Sequence, residues 1–347
     1  MTLGAADTQV TGEELPADHL ATTSEARIEG RSLGQIAWAR LKKDQIAVIS
    51  AVLIVVVVLV ALLAPLIVKL TGFGPDEFNR FGPDGKPLLD SAKGGLPAGG
   101  LWGSGISGDH WLGIEPQNGR DLFARLIYGT RTSLLVALGG TIIAVVLGTV
   151  VGMVSGYFRG WVDAFLARVM DIMLSFPQLL FIMALTPVIA DRAKALFGIE
   201  DTNTLRMGIL MFVLGFFGWA YLARIVRGQT LSIREREFVE AARSLGAGPN
   251  YVIFKQILPN LIPTLLVYTT LLIPSYITAE AALSYLGVGV KEPTASWGTM
   301  IADASNWYEF DPLYLFFPGM ALFIVVLAFN LLGDSVRDAL DPRAGRG

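Results

Sequence analysis

The sequence has no cysteine, which excludes a disulfide framework, a thiolate metal site and a cysteine nucleophile. Histidine is almost as scarce, with only two residues, His19 and His110. A histidine-rich metal centre is excluded, and a serine, histidine and acid arrangement lacks a well-placed base. Charge is short as well: 16% of the 347 residues are charged while 53% are hydrophobic, too few charges to cover a soluble protein of this length. The formal net charge of −3 leaves no basic surplus, so nucleic acid is not an expected partner. A phosphate-cradling loop is also missing. The nearest approach, Gly85, Lys86 and Pro87, lacks the required spacing and the following Ser or Thr, so no ATPase site is expected in this chain.

What is present is a set of long charge-free windows. Six occur, at Gln45–Val68, Thr132–Phe158, Ile172–Ala190, Met207–Ala223, Gln256–Ala279 and Pro312–Gly333. Each is roughly 17 to 27 residues long, the length an α-helix needs to cross about 30 Å of hydrocarbon. The alternation of a membrane strand is absent. The pattern predicts an all-α polytopic membrane protein with six transmembrane helices. Residues 1–34 are polar, with Asp7, Glu13, Glu14, Asp18 and Glu25 and no apolar period, and read as a disordered tail. The first apolar run begins near residue 46, so it reads as a retained anchor and not a cleaved leader. The segmentation follows: the tail, a first transmembrane region over 35–69, an outer loop over 70–131, a five-helix core over 132–335 containing a loop at 228–259, and a C-terminal tail over 336–347.

Basic residues near the helix ends set the orientation. With the N-terminus inside, the cytosolic segments hold Arg27, Arg31, Arg40, Lys42 and Lys43, then Arg159 and Arg168, then Arg224, Arg227, Arg234, Arg236, Arg243 and Lys255, then Arg337, Arg343 and Arg346. The short outer loops hold only Arg192, Lys194, Arg206 and Lys291. This asymmetry predicts both termini in the cytosol.

The 70–131 loop is rich in Gly and Pro and carries Trp102 and Trp111, so it reads as irregular. Asp109 and Glu115 beside His110 read as solvated loop charges, since no nucleophile accompanies them. Within the spans, Gly140, Ala144, Gly148, Gly152 and Gly156 repeat every four residues. Such a stripe lets a second helix approach closely, and packing is its expected role. Pro177, Pro187, Pro263 and Pro274 should kink their helices. Asp171 is expected to pair with Arg168 at helical spacing. Glu280 directly follows the fifth window; a hydrated or hydrogen-bonded carboxylate at the outer interface is its plainer reading, and a gate or pathway residue the sharper one.

The segment between the fourth and fifth windows carries the most information. Glu237 to Leu245 reads as a short helix, Gly246 as its stop, and Pro249 as the first turn of a second short helix with Tyr251, Phe254 and Leu258 on one face. That apolar face either packs on the protein's own spans or docks a partner. Glu240, Ala241, Ala242, Gly246, Leu258 and Pro259 also fall on the EAA spacing of ATP-binding-cassette (ABC) importer permeases, with Gln256 where that family usually has Ile. His110–Gly113, Gly119–Leu134, Gly156–Asp163, Ala279–Val290, Ser296–Gly298 and Phe329–Arg343 extend the likeness. From about residue 35 onward the chain resembles the dipeptide, oligopeptide and nickel branch of the inner-membrane permeases of binding-protein-dependent importers.

The resemblance implies half of a translocation pathway, with Glu240, Ala241, Ala242, Gly246, Leu258 and Pro259 as the ATPase-coupling element. It implies a sister permease, two cytosolic ATPase subunits that hydrolyse ATP with Mg, an extracytosolic solute-binding protein and surrounding lipid. No cofactor is expected on this chain. Peptide is the expected cargo, with nickel or another small solute as the alternative. An ion-driven secondary transporter is the rival from a different class, and it would favour mid-membrane charges and inverted repeats that the windows lack.

Overall fold

The computed structural model describes residues 33–100, 103–198 and 202–340. The acidic tail, Trp102 and the last seven residues, with Arg343 and Arg346, lie outside the described residues. A short helix α1 (Leu33–Leu41) leads into α2 (Gln45–Thr71). Asp44 caps α2 by accepting the Ile46 N–H at 2.9 Å, which satisfies one of the donors every helix start leaves open. The following segment forms a two-residue antiparallel pair, β1 (Leu89–Asp90) with β2 (Leu96–Pro97). Then come α3 (Leu122–Phe158), α4 (Gly160–Ser175), α5 (Gln178–Phe197), α6 (Asn203–Arg234), α7 (Glu237–Ser244), α8 (Pro249–Tyr285), α9 (Trp297–Ala304) and α10 (Pro312–Leu340).

Among the described residues, five helices are long and apolar enough to cross a membrane: α2, α3, α6, α8 and α10. The third window, read from sequence as one span over Ile172–Ala190, is instead split between α4 and α5, which meet at 89°. The cause is local. Phe176 is extended (φ −82°, ψ 136°) because the ring of Pro177 excludes the helical conformation from the residue before it. The pair makes a sixth crossing only as a broken one.

Three other boundaries differ from the sequence reading. α3 starts at Leu122, where Asp121 caps it by accepting the Ala124 N–H at 2.7 Å, so residues 122–131 are helical and not loop. α8 runs from Pro249 to Tyr285 without a break; the second short helix of the 228–259 segment is therefore the root of the fifth span. α10 continues to Leu340, past the start assigned to the C-terminal tail.

The core forms where α3 and α6 lie side by side. A Cβ on Gly152 would stand 2.6 Å from the Ala223 carbonyl oxygen, and one on Gly156 would stand 2.7 Å from Thr230. Gly148 likewise faces Leu222 and Trp219. Backbone contact this close extends dispersion attraction along the whole length of the pair. Leu210, Leu214 and Phe217 of α6 close over Leu134, Ala137 and Ala144 of α3, and α8 adds Ile273, Tyr276 and Ile277. α2 stays peripheral. Its Val52, Val55, Leu59, Leu62 and Leu66 are exposed, an apolar surface that hydrocarbon tolerates and water does not.

The bundle has two distinct ends. At one, Ser335 of α10 donates to Asp44 at 2.6 Å, and Gln229 of α6 shares a cavity wall with Arg337; α7 follows the end of α6 here. At the other, Asn203 donates to Thr294 at 3.0 Å and Ser104 donates to Asp311 at 2.6 Å, gathering the 72–121 and 286–311 segments. These are called the root end and the loop end below.

Candidate functional site

At the root end, α7 buries only Val239, which packs with Val252, Ile253, Ile257 and Leu261 of α8. Leu258 lies against the same cluster. Phe238, Tyr251 and Phe254 stay exposed, and Leu245 is 89% exposed. Burial of one apolar residue leaves a hydrophobic rim with no covering among the described residues. Gly246 sits at the centre of that rim with φ +86°, a conformation glycine adopts without the penalty a Cβ brings. Its N–H reaches the Arg243 carbonyl at 2.9 Å, and the Ala247 N–H reaches the Ala242 carbonyl at 3.0 Å, which ends α7. Phe238, Ala241, Ala242, Leu245, Gly246 and Tyr251 line a cavity of about 660 Å³.

α8 enters this site through a π-helical stretch, Val252–Ile257, just before Pro259. Proline has no N–H to donate and crowds the carbonyl four residues back; the wider π turn accommodates both. Of the six residues matched to the coupling motif, Ala241, Ala242 and Gly246 line the cavity, Glu240 is exposed on α7, Leu258 faces the core and Pro259 follows the π stretch.

Ion pairs fix α7 and its neighbours. Arg234 and Arg243 stack on the ring of Tyr157, at 5.6 and 5.2 Å, and Arg159 meets Glu235 at 2.5 Å. Arg227 donates to Asp163 at 2.7 Å. Asp171 takes Arg224 of α6 as its close partner, while Arg168 lies 4.0 Å away. The local pair read from sequence is thus the minor contact.

The loop end holds a buried charge cluster that sequence reasoning assigned to solvent. Asp109 is exposed, but His110 and Glu115 are each 1% exposed. His110 Nδ1 lies 2.8 Å from Asp121, and its ring packs on Phe73. Glu115 stands between two guanidiniums, with Arg120 Nε and Arg125 Nε each at 2.5 Å. Arg120 also reaches Glu292 at 2.6 Å. Burying such charges is tolerable only because each has a partner. Beside them burial pushes Asp303 up to about 8, and its hydrogen bond with Glu292 adds to the shift. Burial also opposes ionisation of Glu292, but the Asp303 hydrogen bond and Arg120 hold it below its usual range. The signal in the sequence was the charge-balanced run of Glu115, Arg120, Asp121 and Arg125.

Glu280 is not at a hydrated interface. It is 0% exposed and accepts the Ser284 hydroxyl at 2.8 Å. Among the described residues no group of His, Cys, Asp and Glu suits a metal ion.

Comparison with known proteins places this architecture. Residues 148–346 match the family described as binding-protein-dependent transport system inner membrane component, and residues 32–81 match the N-terminal transmembrane domain of oligopeptide transport permease C. The chain is 35% identical to the oligopeptide transport system permease protein OppC of Escherichia coli (strain K12), over 91% of this chain and 93% of that one. It is 34% identical to the OppC of Bacillus subtilis (strain 168), over 90% of each chain. It is 33% identical to the dipeptide transport system permease protein DppC of Alkalihalophilus pseudofirmus, over 88% of this chain and 89% of that one. A solved inward-facing MetNI methionine ABC transporter chain covers 63% of this chain and 98% of its own, with 19% identity and a TM-score of 0.49. The chain belongs to the binding-protein-dependent transport inner-membrane component family, the permease subunits of ABC importers, and is a multi-pass inner-membrane protein.

Proposed function

We propose that this chain forms half of the pathway by which an ABC importer carries peptides across the cytoplasmic membrane. The observation that carries the reading is the uncovered apolar rim around Gly246, at the end of the bundle opposite the large structured loop. Phe238, Leu245 and Tyr251 offer a partner a hydrophobic surface, and Glu240, Ala241 and Ala242 give α7 a polar side and a small-residue side for close contact. A cytosolic ATPase dimer fits there. ATP and Mg act on those partner subunits, and this chain brings no hydrolytic site or cofactor of its own. The root end, with both termini, faces the cytosol, as the basic residues favour. The loop end receives substrate from a solute-binding protein, and a sister permease completes the pathway.

Peptide as cargo is supported by the names of the relatives, oligopeptide and dipeptide permeases at 33 to 35% identity. A nickel chelate or another small solute remains the alternative, and the ligand co-purifying with the binding protein of the same complex decides between them.

Transport then proceeds by alternating access, in which nucleotide binding biases two packed arrangements a few kcal/mol apart. Gly246→Val tests the coupling element. A Cβ at φ +86° is strained by about 1–2 kcal/mol, which distorts the turn but spares the membrane spans. ATP hydrolysis by the reconstituted complex should persist while peptide uptake is lost. Normal uptake by Gly246→Val sinks the coupling assignment, and full accumulation in vesicles lacking the ATPase sinks the importer reading.

A further inference from the structure

Glu280 sits deep at the loop end of α8, and serines from three places turn toward it. Ser284, one turn on, donates to Glu280 Oε1 at 2.8 Å while its oxygen accepts the Val290 N–H at 3.1 Å. Ser133 of α3 accepts the Trp297 N–H at 3.3 Å, and Ser296, which caps α9, accepts the Thr299 N–H at 3.2 Å. The Ser296 hydroxyl gives its own proton to Thr299 Oγ1 at 3.5 Å, and Oε2 of Glu280 has no hydrogen-bond partner among the described residues. Ser284 is thus the hydroxyl that binds the carboxyl.

The backbone around this carboxyl is seated without slack. A Cβ on Gly298 would fall 2.4 Å from the Ala281 carbonyl oxygen, and one on Gly289 would fall 2.3 Å from Ser284 Oγ. Trp297 is fully buried between them and α3. Ser284 and Thr299 also line a cavity of about 400 Å³ that opens at the loop end beside Glu292 and Asp303.

We infer that Glu280 is a positioning residue for transport: by fixing the Ser284 hydroxyl, which receives the Val290 N–H, it seats the start of the 286–304 segment on α8 and so sets the shape of the loop-end mouth. A leucine in its place has a similar size but accepts nothing from Ser284, so the serine can turn away from Val290 and the segment loosens. A glutamine keeps a carbonyl oxygen for Ser284 and should hold the seat.

The absence of cysteine makes a direct test clean. A spin label on Lys291→Cys, whose side chain is exposed, reports the mobility of the segment in the reconstituted complex. Glu280→Leu should raise that mobility and lower the maximal uptake rate about tenfold, with KM changed less than about twofold, because a lost buried hydrogen bond perturbs the seating and not substrate contact. Ser284→Ala should shift both readouts the same way and by less, and Glu280→Gln should restore most of each. Wild-type mobility in Glu280→Leu and Ser284→Ala overturns the inference, whatever uptake does. Raised mobility with unaltered uptake overturns its transport half. The inference leans on the permease reading only for uptake. A wild-type complex that fails to transport would sink that reading, while the label still judges the carboxyl.

Discussion

Arg120, just ahead of α3, and Glu292, beyond the end of α8, meet at 2.6 Å although 172 residues separate them. This contact and the Glu115 pairs behind it join the 72–121 segment to the 286–311 segment. Removing buried Glu115 leaves the Nε groups of Arg120 and Arg125 without their carboxylate, with Glu292 alone to serve both guanidiniums at close range, so Glu115→Ala should cost up to about 3–5 kcal/mol. The thermal midpoint of the detergent-solubilised protein should drop accordingly. Glu115→Leu combined with Arg125→Leu should recover much of that loss, since the pair is then removed together.

Stability at the loop end should depend on pH through Asp303. Its carboxyl is raised to about 8 in the fold from an ordinary value of 3.8, so the folded state binds more protons than the unfolded chain between those limits. Stability is then fully present below the ordinary value and is lost as pH rises through about 8. The melting temperature should fall between about pH 4 and about pH 8 and level off above that, and Asp303→Asn should flatten that slope. An unchanged slope in the variant assigns the proton elsewhere.

Helix contact should be unforgiving at one glycine and indifferent at another. Gly152→Val drives a side chain into the Ala223 carbonyl and should cost about 1–3 kcal/mol or more through overpacking. Gly208→Ala meets nothing within 4 Å and should hold or gain up to about 1 kcal/mol from helix propensity. Unfolding midpoints of the two variants make the comparison.

Asp171 offers a test in which little should happen. Its contacts with Arg224 and Arg168 are about half exposed, where ion pairs contribute about 0–1 kcal/mol. Arg224→Ala should lose less than about 1 kcal/mol and Arg168→Ala nothing measurable. A larger effect from Arg168 would reverse the ranking of the two contacts.

The spans were legible because hydrocarbon imposes length and apolarity directly on the sequence. Five of the windows fall inside single helices that the same reasoning describes. The third failed at Phe176–Pro177, where counting charge-free residues cannot see an 89° bend, although the proline itself was in view. The start of α3 was missed because Arg125 and Arg131 ended the apolar window, and Arg125 is compatible with burial only once the fold brings Glu115, Glu292 and Asp76 around it. Glu115 was misplaced for the same reason: a charge in a Gly-rich loop reads as solvated until its partners are located in space. At the candidate site, the stop at Gly246 and the start at Pro249 were readable from local backbone chemistry. The merging of that second helix with the fifth span was not, since a π stretch leaves no periodic signature of its own.

That merging has a mechanical meaning. α8 spans 37 residues from Pro249, so at about 1.5 Å per residue it is a rod about 55 Å long. Its foot stands in the rim around Gly246, and its head carries Glu280. A lever of this kind needs no relay of side chains between its tips: a tilt imposed below would arrive above as a sideways swing, with the wider π turn at Val252–Ile257 at its foot.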